Sequence, residues 1–264
     1  MVFNEILLEK NEGVAIITLN RPDRLNSFTT NMYKEFPRIL DQIRRDDEVK
    51  AVILTGAGKG FCAGSDVSDR LGKRLEKRGE ESRFEKMEQV GAMALDIADF
   101  DKPIIGAVNG TAVGAGLSLA LLCDIRLASE KARFGAVWLN VGLIPDVGAT
   151  YYLPRIVGKE KAMALILSRE VMGADEALKI GLVSKVFPHD QLMDEARNLA
   201  RSIATGPSVA VELAKRGLQR SLENDLKTQL DYETYAQNIC RQTEDHREGI
   251  RAFAEKRKPV FVGR

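Results

Sequence analysis

The stretch Lys102-Pro103-Ile104-Ile105-Gly106-Ala107-Val108-Asn109-Gly110-Thr111-Ala112-Val113-Gly114-Ala115-Gly116-Leu117-Ser118-Leu119-Ala120-Leu121-Leu122-Cys123-Asp124 decides the fold. Pro103 to Val108 is a short apolar run without alternation, the pattern of a strand covered on both faces. It passes through a glycine-rich turn into an apolar helix from Leu117 to Cys123, and Ile125-Arg126-Leu127-Ala128 reads as the next strand. Strand, turn, helix and strand in that order predict an α/β core with parallel pairing. Working outward, the unit has a forerunner in Ala51-Val52-Ile53-Leu54-Thr55, ended by Gly56 and followed by the turn Phe61-Cys62-Ala63-Gly64-Ser65-Asp66. Ile6-Leu7-Leu8 and Val14 to Leu19 predict two strands around Asn11-Glu12-Gly13. Met32, Phe36, Ile39, Leu40 and Ile43 recur at helical period. Phe134-Gly135-Ala136 reads as a shorter strand. Residues 66–88 are charged or small and predict a loosely packed, partly mobile helix or loop, with a better helix ending near Phe100.

From Gly148 onward the pattern is mostly helical. Beyond Thr205-Gly206-Pro207 three charged amphipathic helices are expected, around 207–222, 225–240 and 244–255. The expected division is an α/β core over 1–205 and a helical tail over 206–264. The tail's apolar stripes (Leu213, Leu218, Leu222, Leu226, Leu230) call for a partner surface.

Composition narrows the class. Over 264 residues, 39 Lys+Arg stand against 38 Asp+Glu, a formal charge of +1 that gives no global pull toward nucleic acid or an anionic membrane. No run of 18 apolar residues exists, and Met1-Val2-Phe3-Asn4-Glu5 lacks the basic and apolar regions of a signal peptide. Cys62, Cys123 and Cys240 are odd in number and far apart, which suits a reduced cytoplasm. His189 and His246 lie near no cysteine, so no metal site is expected.

Two familiar motifs fail. Gly56-Ala57-Gly58-Lys59-Gly60-Phe61 has Phe61 where a dinucleotide fingerprint needs glycine. Gly116-Leu117-Ser118-Leu119-Ala120 lacks the last glycine of a nucleophile elbow, and reads more simply as a small residue inside a buried helix. What remains is the pair of glycine turns, 61–66 and 110–116. Small residues let a ligand approach the backbone, and N–H groups at a helix start favour negative charge. One N–H from each turn could form an oxyanion hole, although tight packing explains glycines equally well.

These residues, taken with others, resemble the crotonase, or enoyl-CoA hydratase/isomerase, superfamily. The matching stretches are Asn20-Arg21-Pro22 with Arg24-Leu25-Asn26, Ala51 to Gly56, Phe61 to Asp66, Lys102-Pro103 through Asn109-Gly110, Ala112 to Gly116, Cys123-Asp124, Phe134-Gly135, Gly142-Leu143-Ile144-Pro145, and Arg247 to Arg257. The resemblance implies a crotonase-like α/β spiral of repeated ββα units with a C-terminal helical tail, assembled as a trimer or a pair of trimers. It implies an acyl-CoA substrate and no separate cofactor, coenzyme A being part of the substrate. It assigns the thioester oxygen to the N–H groups of Ala63 and Ala115. It places Gly64, Ser65, Asp66, Gly114, Ser118 and Trp138 around the acyl group, and Arg24 and Leu25 at the CoA nucleotide. Phe253 and Lys256 fall where a neighbouring tail closes the pocket.

The hydratases' two glutamates fall at Ser118 and Trp138, neither of which is a base. A carboxylate stands instead at Asp146, in Leu143-Ile144-Pro145-Asp146-Val147-Gly148. It reads either as a cap for the helix starting near Gly148 or as the acid/base of dienoyl-CoA and ring-epoxide isomerases. The Pro145-Asp146-x-Gly148 run and Asp245-His246-Arg247-Glu248-Gly249 are most similar to the ring-1,2-epoxyphenylacetyl-CoA isomerase group. Trp138 with Asp146 also matches 4-chlorobenzoyl-CoA dehalogenase, but residues 66–100 hold no histidine to activate its water. The reading is an isomerase with Asp146 as acid/base and Trp138 as an apolar wall. A hydratase-type lyase with an atypical base, an aryl-CoA dehalogenase and a non-catalytic acyl-CoA binder are the alternatives. Lys73-Arg74-Leu75-Glu76-Lys77-Arg78 is read as a solvated face rather than a nucleic-acid contact.

Overall fold

Apolar strands without alternation need cover on both faces, and the computed structural model supplies it. It describes residues 4–66 and 81–264, with the backbone alone for 81–88. Numbered in chain order, β1 (Ile6–Asn11), β2 (Val14–Leu19), β3 (Ala51–Gly56), β5 (Ile104–Val108), β7 (Ile125–Ser129) and β10 (Lys185–Phe187) form one sheet in that spatial order. Along β3, Val52 and Leu54 join a cluster with Phe36, Ile39 and Leu40. The alternate residues Ala51 and Ile53 join Ile105, Leu127, Leu192, Ala196 and Ala200 on the opposite face. Both faces are dry, so period-2 patterning disappears.

The helix expected from Met32 onward is α1 (Met32–Arg44), and it buries all five of the periodic residues. Phe36 and Ile39, fully buried, each contribute on the order of 2 kcal/mol by leaving water. Next come α2 (Glu81–Ala98), α3 (Ala115–Leu122), α4 (Ala149–Val157), α5 (Lys159–Ser168), α6 (Ala174–Lys179) and α7 (Leu192–Ala204). The tail follows as α8 (Ser208–Arg220), α9 (Leu226–Cys240) and α10 (Glu244–Ala254). The loosely packed segment expected over 66–88 lies mostly outside the described residues, and its last part, from Glu81, is helix. Among the described residues no helix is long and apolar enough to cross a membrane.

Parallel pairing governs the centre but not the edges. β1 and β2 pair antiparallel as a hairpin. A second sheet, β4 (Gly60–Cys62), β6 (Thr111–Val113), β8 (Arg133–Gly135) and β9 (Val171–Gly173), is parallel until its antiparallel last pair. The sequence reading had placed β4 and β6 inside glycine turns.

This second sheet positions the site. Each of β3 and β5 turns sharply into a short second-sheet strand, and β4 and β6 lie side by side. Asn109 secures the crossing: its Oδ1 accepts the Gly56 N–H at 3.2 Å and its Nδ2 donates to the Gly58 carbonyl at 2.9 Å. The turns that follow β4 and β6 therefore emerge at the same end. α3 packs so tightly there that a Cβ on Gly116 would stand 1.9 Å from the Cys62 carbonyl oxygen.

The tail is anchored to the core by the buried Lys215, which pairs with Asp124 at 2.7 Å and donates to the Lys102 carbonyl at 2.9 Å. The last residues strap back along α10. Asp245 accepts the N–H groups of Val262 and Gly263 at 2.7 and 3.0 Å. Glu248 pairs with Arg257 and accepts the Val260 N–H at 2.9 Å. The Arg257 guanidinium and that N–H hold the Glu248 carboxyl down at about 2. A depressed acid stabilises the fold above its ordinary range and stops doing so as pH falls through the folded value. Lowering pH from about 5 to about 2.5 is therefore expected to reduce hydrogen-exchange protection at Val260, after correction for intrinsic rates. Unchanged protection would mean that Glu248 does not hold the strap.

Candidate active site

The loop 20–28 braces the first glycine turn. Asn26 is fully buried and donates to the carbonyls of Ala57 and Gly60 at 2.9 and 2.7 Å. Arg21 donates to the Ser27 carbonyl and to Asp66 Oδ2 at 2.8 Å, so the buried Asp66 carboxylate is tied into the scaffold. Leu25 has φ +47° and offers its carbonyl to the Ala63 N–H at 2.9 Å. That hydrogen bond corrects one expectation: the Ala63 N–H is committed to Leu25 rather than presented to a ligand. Phe28 bridges Ser65 in parallel, its N–H on the Gly64 carbonyl and its carbonyl on the Asp66 N–H, both at 2.8 Å. In such a bridge the opposed residue, Ser65, directs its own N–H to the other edge. The Ser65 hydroxyl lies 3.1 Å from the Tyr33 hydroxyl.

The other edge faces the second turn. A Cβ on Gly64 would come within 3.6 Å of the Ala115 nitrogen. Ala115 is the first residue of α3, so its N–H has no carbonyl one turn earlier to accept it. Gly114 caps the helix at φ +54°, where a side chain would be strained. The aligned amides of α3 add a positive end at this point.

Trp138 and Asp146 complete the constellation. Trp138 is buried and starts a short 3-10 turn (Trp138–Val141), with its indole nitrogen 4.0 Å from where a Gly114 Cβ would lie. It is more than an apolar wall, because Nε1 donates to Asp146 Oδ1 at 2.9 Å. Asp146 is half-buried and caps nothing with its side chain: the N-cap of α4 is Gly148, without a side-chain hydrogen bond. Its carbonyl accepts the Ser118 hydroxyl at 2.9 Å and the Ala149 N–H at 3.0 Å. The next residue, Val147, is buried with φ +51°, a strained conformation for a β-branched side chain.

The structure thus gathers Gly64, Ser65, Gly114, Ala115, Ser118, Trp138 and Asp146. Leu25 flanks them, and Arg24 is exposed beside it. Phe253 and Lys256 are not part of the cluster. Phe253 is 87% exposed on α10 and lines, with Leu213, Tyr232 and Ile250, a groove of about 910 Å³ between tail helices. Burial pushes the thiols of Cys62 and Cys123 up to about 12, so neither supplies a thiolate near neutral pH. Among the described residues no group of His, Cys, Asp and Glu is arranged to hold a metal ion.

Paired glycine turns beside the Asp146 carboxylate can stabilise a thioester enolate and move a proton. A sequence model of enoyl-CoA hydratase/isomerase matches residues 9–264. The chain belongs to the enoyl-CoA hydratase/isomerase family. It is 40% identical over 263 residues to a 1,2-epoxyphenylacetyl-CoA isomerase of Escherichia coli, covering 98% of each chain. It is also 40% identical over 265 residues to a short-chain-enoyl-CoA hydratase of Clostridium acetobutylicum, covering 98% of this chain and 97% of the other. A crystal structure of an enoyl-CoA hydratase from Bacillus anthracis matches with a TM-score of 0.93 at 35% identity, over 99% of this chain and all of that one. The fold is therefore the crotonase fold with its C-terminal helical region. The protein is an acyl-CoA enzyme of this family, whose members include both isomerases and hydratases among its relatives.

Proposed function

We propose that the enzyme isomerises an acyl-CoA, shifting a double bond or opening a ring epoxide through a thioester enolate. In the double-bond shift Asp146 takes a proton from one carbon, the C–H electron pair passes into the enolate, and the acid formed returns the proton to another carbon. The exchange is redox-neutral and needs no cofactor beyond the coenzyme A that the substrate carries. The enolate oxygen is held by the Ala115 N–H and, in place of Ala63, by the Ser65 N–H, which the Phe28 bridge turns toward Ala115. Removing one donor of such a hole costs roughly 3–4 kcal/mol of barrier.

The observation that carries this reading is the Trp138–Asp146 hydrogen bond at 2.9 Å beside the paired turns. It presents one carboxylate to the site, while Asp66, the other carboxylate of the turns, is held by Arg21. Ser118 and Trp138 stand where a hydratase of this family would carry its glutamates. Turnover of a 3-enoyl-CoA is expected to exceed hydration of the matching 2-enoyl-CoA by at least about tenfold. Dominant hydration would instead make the enzyme a lyase with Asp146 as an atypical base, a reading favoured by the similarity to the Clostridium acetobutylicum hydratase.

We propose further that the chain assembles as a trimer or a dimer of trimers in the cytoplasm. Exposed Leu218, Leu222, Leu226 and Phe253 on the tail favour this, since a neighbouring copy would cover them and bring Phe253 and Lys256 to its CoA site. Arg24 and Leu25 would face the nucleotide from the core side. Light scattering at micromolar concentration is expected to give a trimeric or hexameric mass, lost on removal of residues from Gly206 onward. A monodisperse full-length monomer would contradict the assembly.

A further inference from the structure

We propose that Ser118 is a positioning residue for proton transfer, acting through the backbone of Asp146. This rests on the reading above that Asp146 is the acid/base. Ser118 lies in the middle of α3 and is fully buried. A serine inside a helix ordinarily bonds back to the carbonyl four residues earlier. Here that carbonyl, Gly114, is 3.4 Å away, and the hydroxyl donates instead across to the Asp146 carbonyl at 2.9 Å. A hydroxyl has one proton to give, and the shorter contact takes it.

Asp146 is consequently held at both ends. Its carbonyl accepts from Ser118 and from the Ala149 N–H, and Trp138 Nε1 fixes Oδ1. Among the described residues no donor holds Oδ2, which leaves that oxygen to exchange the proton. Val147 is kept at φ +51° immediately after, a conformation that a buried β-branched residue holds only when its surroundings impose it. The Ser118 hydrogen bond is one of those surroundings.

The placement of Ser118 on α3 gives the contact its consequence. Ala115 begins α3, and Ser118 follows one turn later on the same helix. A single rigid element therefore sets the distance between the oxyanion donor and the backbone that carries the base. Proton transfer to and from an enolate depends on that distance, and a misplacement of about 1 Å can cost about 10²-fold in rate.

The test is a double-mutant cycle on the full-length chain with a 3-enoyl-CoA substrate. Ser118→Ala is expected to lower kcat at least about tenfold with KM changed by less than about twofold. In the Asp146→Asn background the same substitution is expected to cost less than about twofold, because the group that it positions is gone. Ser118→Cys fills a similar volume with a weaker donor and is expected to fall between Ser and Ala. It also completes the cycle should Ser118→Ala fail to fold. A wild-type kcat in Ser118→Ala, or an equal loss in both backgrounds, would make Ser118 a packing residue and overturn the proposal. Wild-type turnover in Asp146→Asn alone would instead remove the acid/base reading itself, an outcome separate from the behaviour of Ser118.

Discussion

Asp146→Asn is expected to lower isomerase turnover by at least about 10²-fold with little change in substrate affinity, in line with the 10²–10⁴-fold typical of general acid–base groups. The substitution keeps the scaffold intact. An asparagine oxygen can still accept the Trp138 indole N–H now held at 2.9 Å, and the backbone carbonyl that takes Ser118 and Ala149 is untouched. What is lost is a carboxylate able to accept and return a proton at neutral pH. The geometry also separates this outcome from a stability effect, because the α4 N-cap is Gly148 and the Asp146 side chain caps no amide. Melting temperature should stay near wild type while kcat falls. Retention of most of the rate on every enoyl-CoA that the wild type accepts would remove Asp146 from the chemistry.

The sequence made the framework legible because the framework is built from burial. β3 and β5 are dry on both faces, and an uninterrupted apolar run is the direct record of that environment. The three tail helices announced themselves by period and by charged faces, and they run Ser208–Arg220, Leu226–Cys240 and Glu244–Ala254. The three-residue strands β4 and β6 left no comparable trace. They are too short to show a period, and glycines needed for close approach, such as Gly116 against Cys62, make their surroundings look like loop.

The site was legible as residues but not as directions. Both glycine turns could be read from composition, yet which amide of 63–66 faces a ligand depends on backbone torsions that composition does not encode. The resemblance pointed to Ala63, whose N–H goes to Leu25, while the Phe28 bridge turns the Ser65 N–H the other way. Trp138 was read for its bulk, and its N–H was the part that mattered: a buried indole needs an acceptor, and Asp146 provides it. The cap reading of Asp146 was chemically sound, since Asp caps helices well. It failed because the chain enters α4 through Val147 and Gly148 in left-handed conformations, at φ +51° and +78°, and the side chain points away from the helix start.

Ala115→Pro is expected to lower kcat by about 10²–10³-fold, the range seen when one oxyanion donor is removed. Proline deletes the Ala115 N–H and nothing else that the helix uses. Ala115 is the first residue of α3, a first-turn position where the amide has no intrahelical acceptor and where proline's fixed φ is already suitable. The preceding residue is Gly114, which has no Cβ to clash with the proline ring. Helix disruption, the ordinary objection to a proline substitution, is therefore minimised by position. Circular dichroism and melting temperature should stay close to wild type, and binding of free coenzyme A should survive, because the contacts proposed for its nucleotide, Arg24 and Leu25, are left unchanged. The loss should appear in kcat, since the developing enolate charge, unlike the ground-state carbonyl, depends strongly on the missing hydrogen bond. A folded Ala115→Pro enzyme with wild-type turnover would show that the thioester oxygen is held somewhere other than between the two glycine turns.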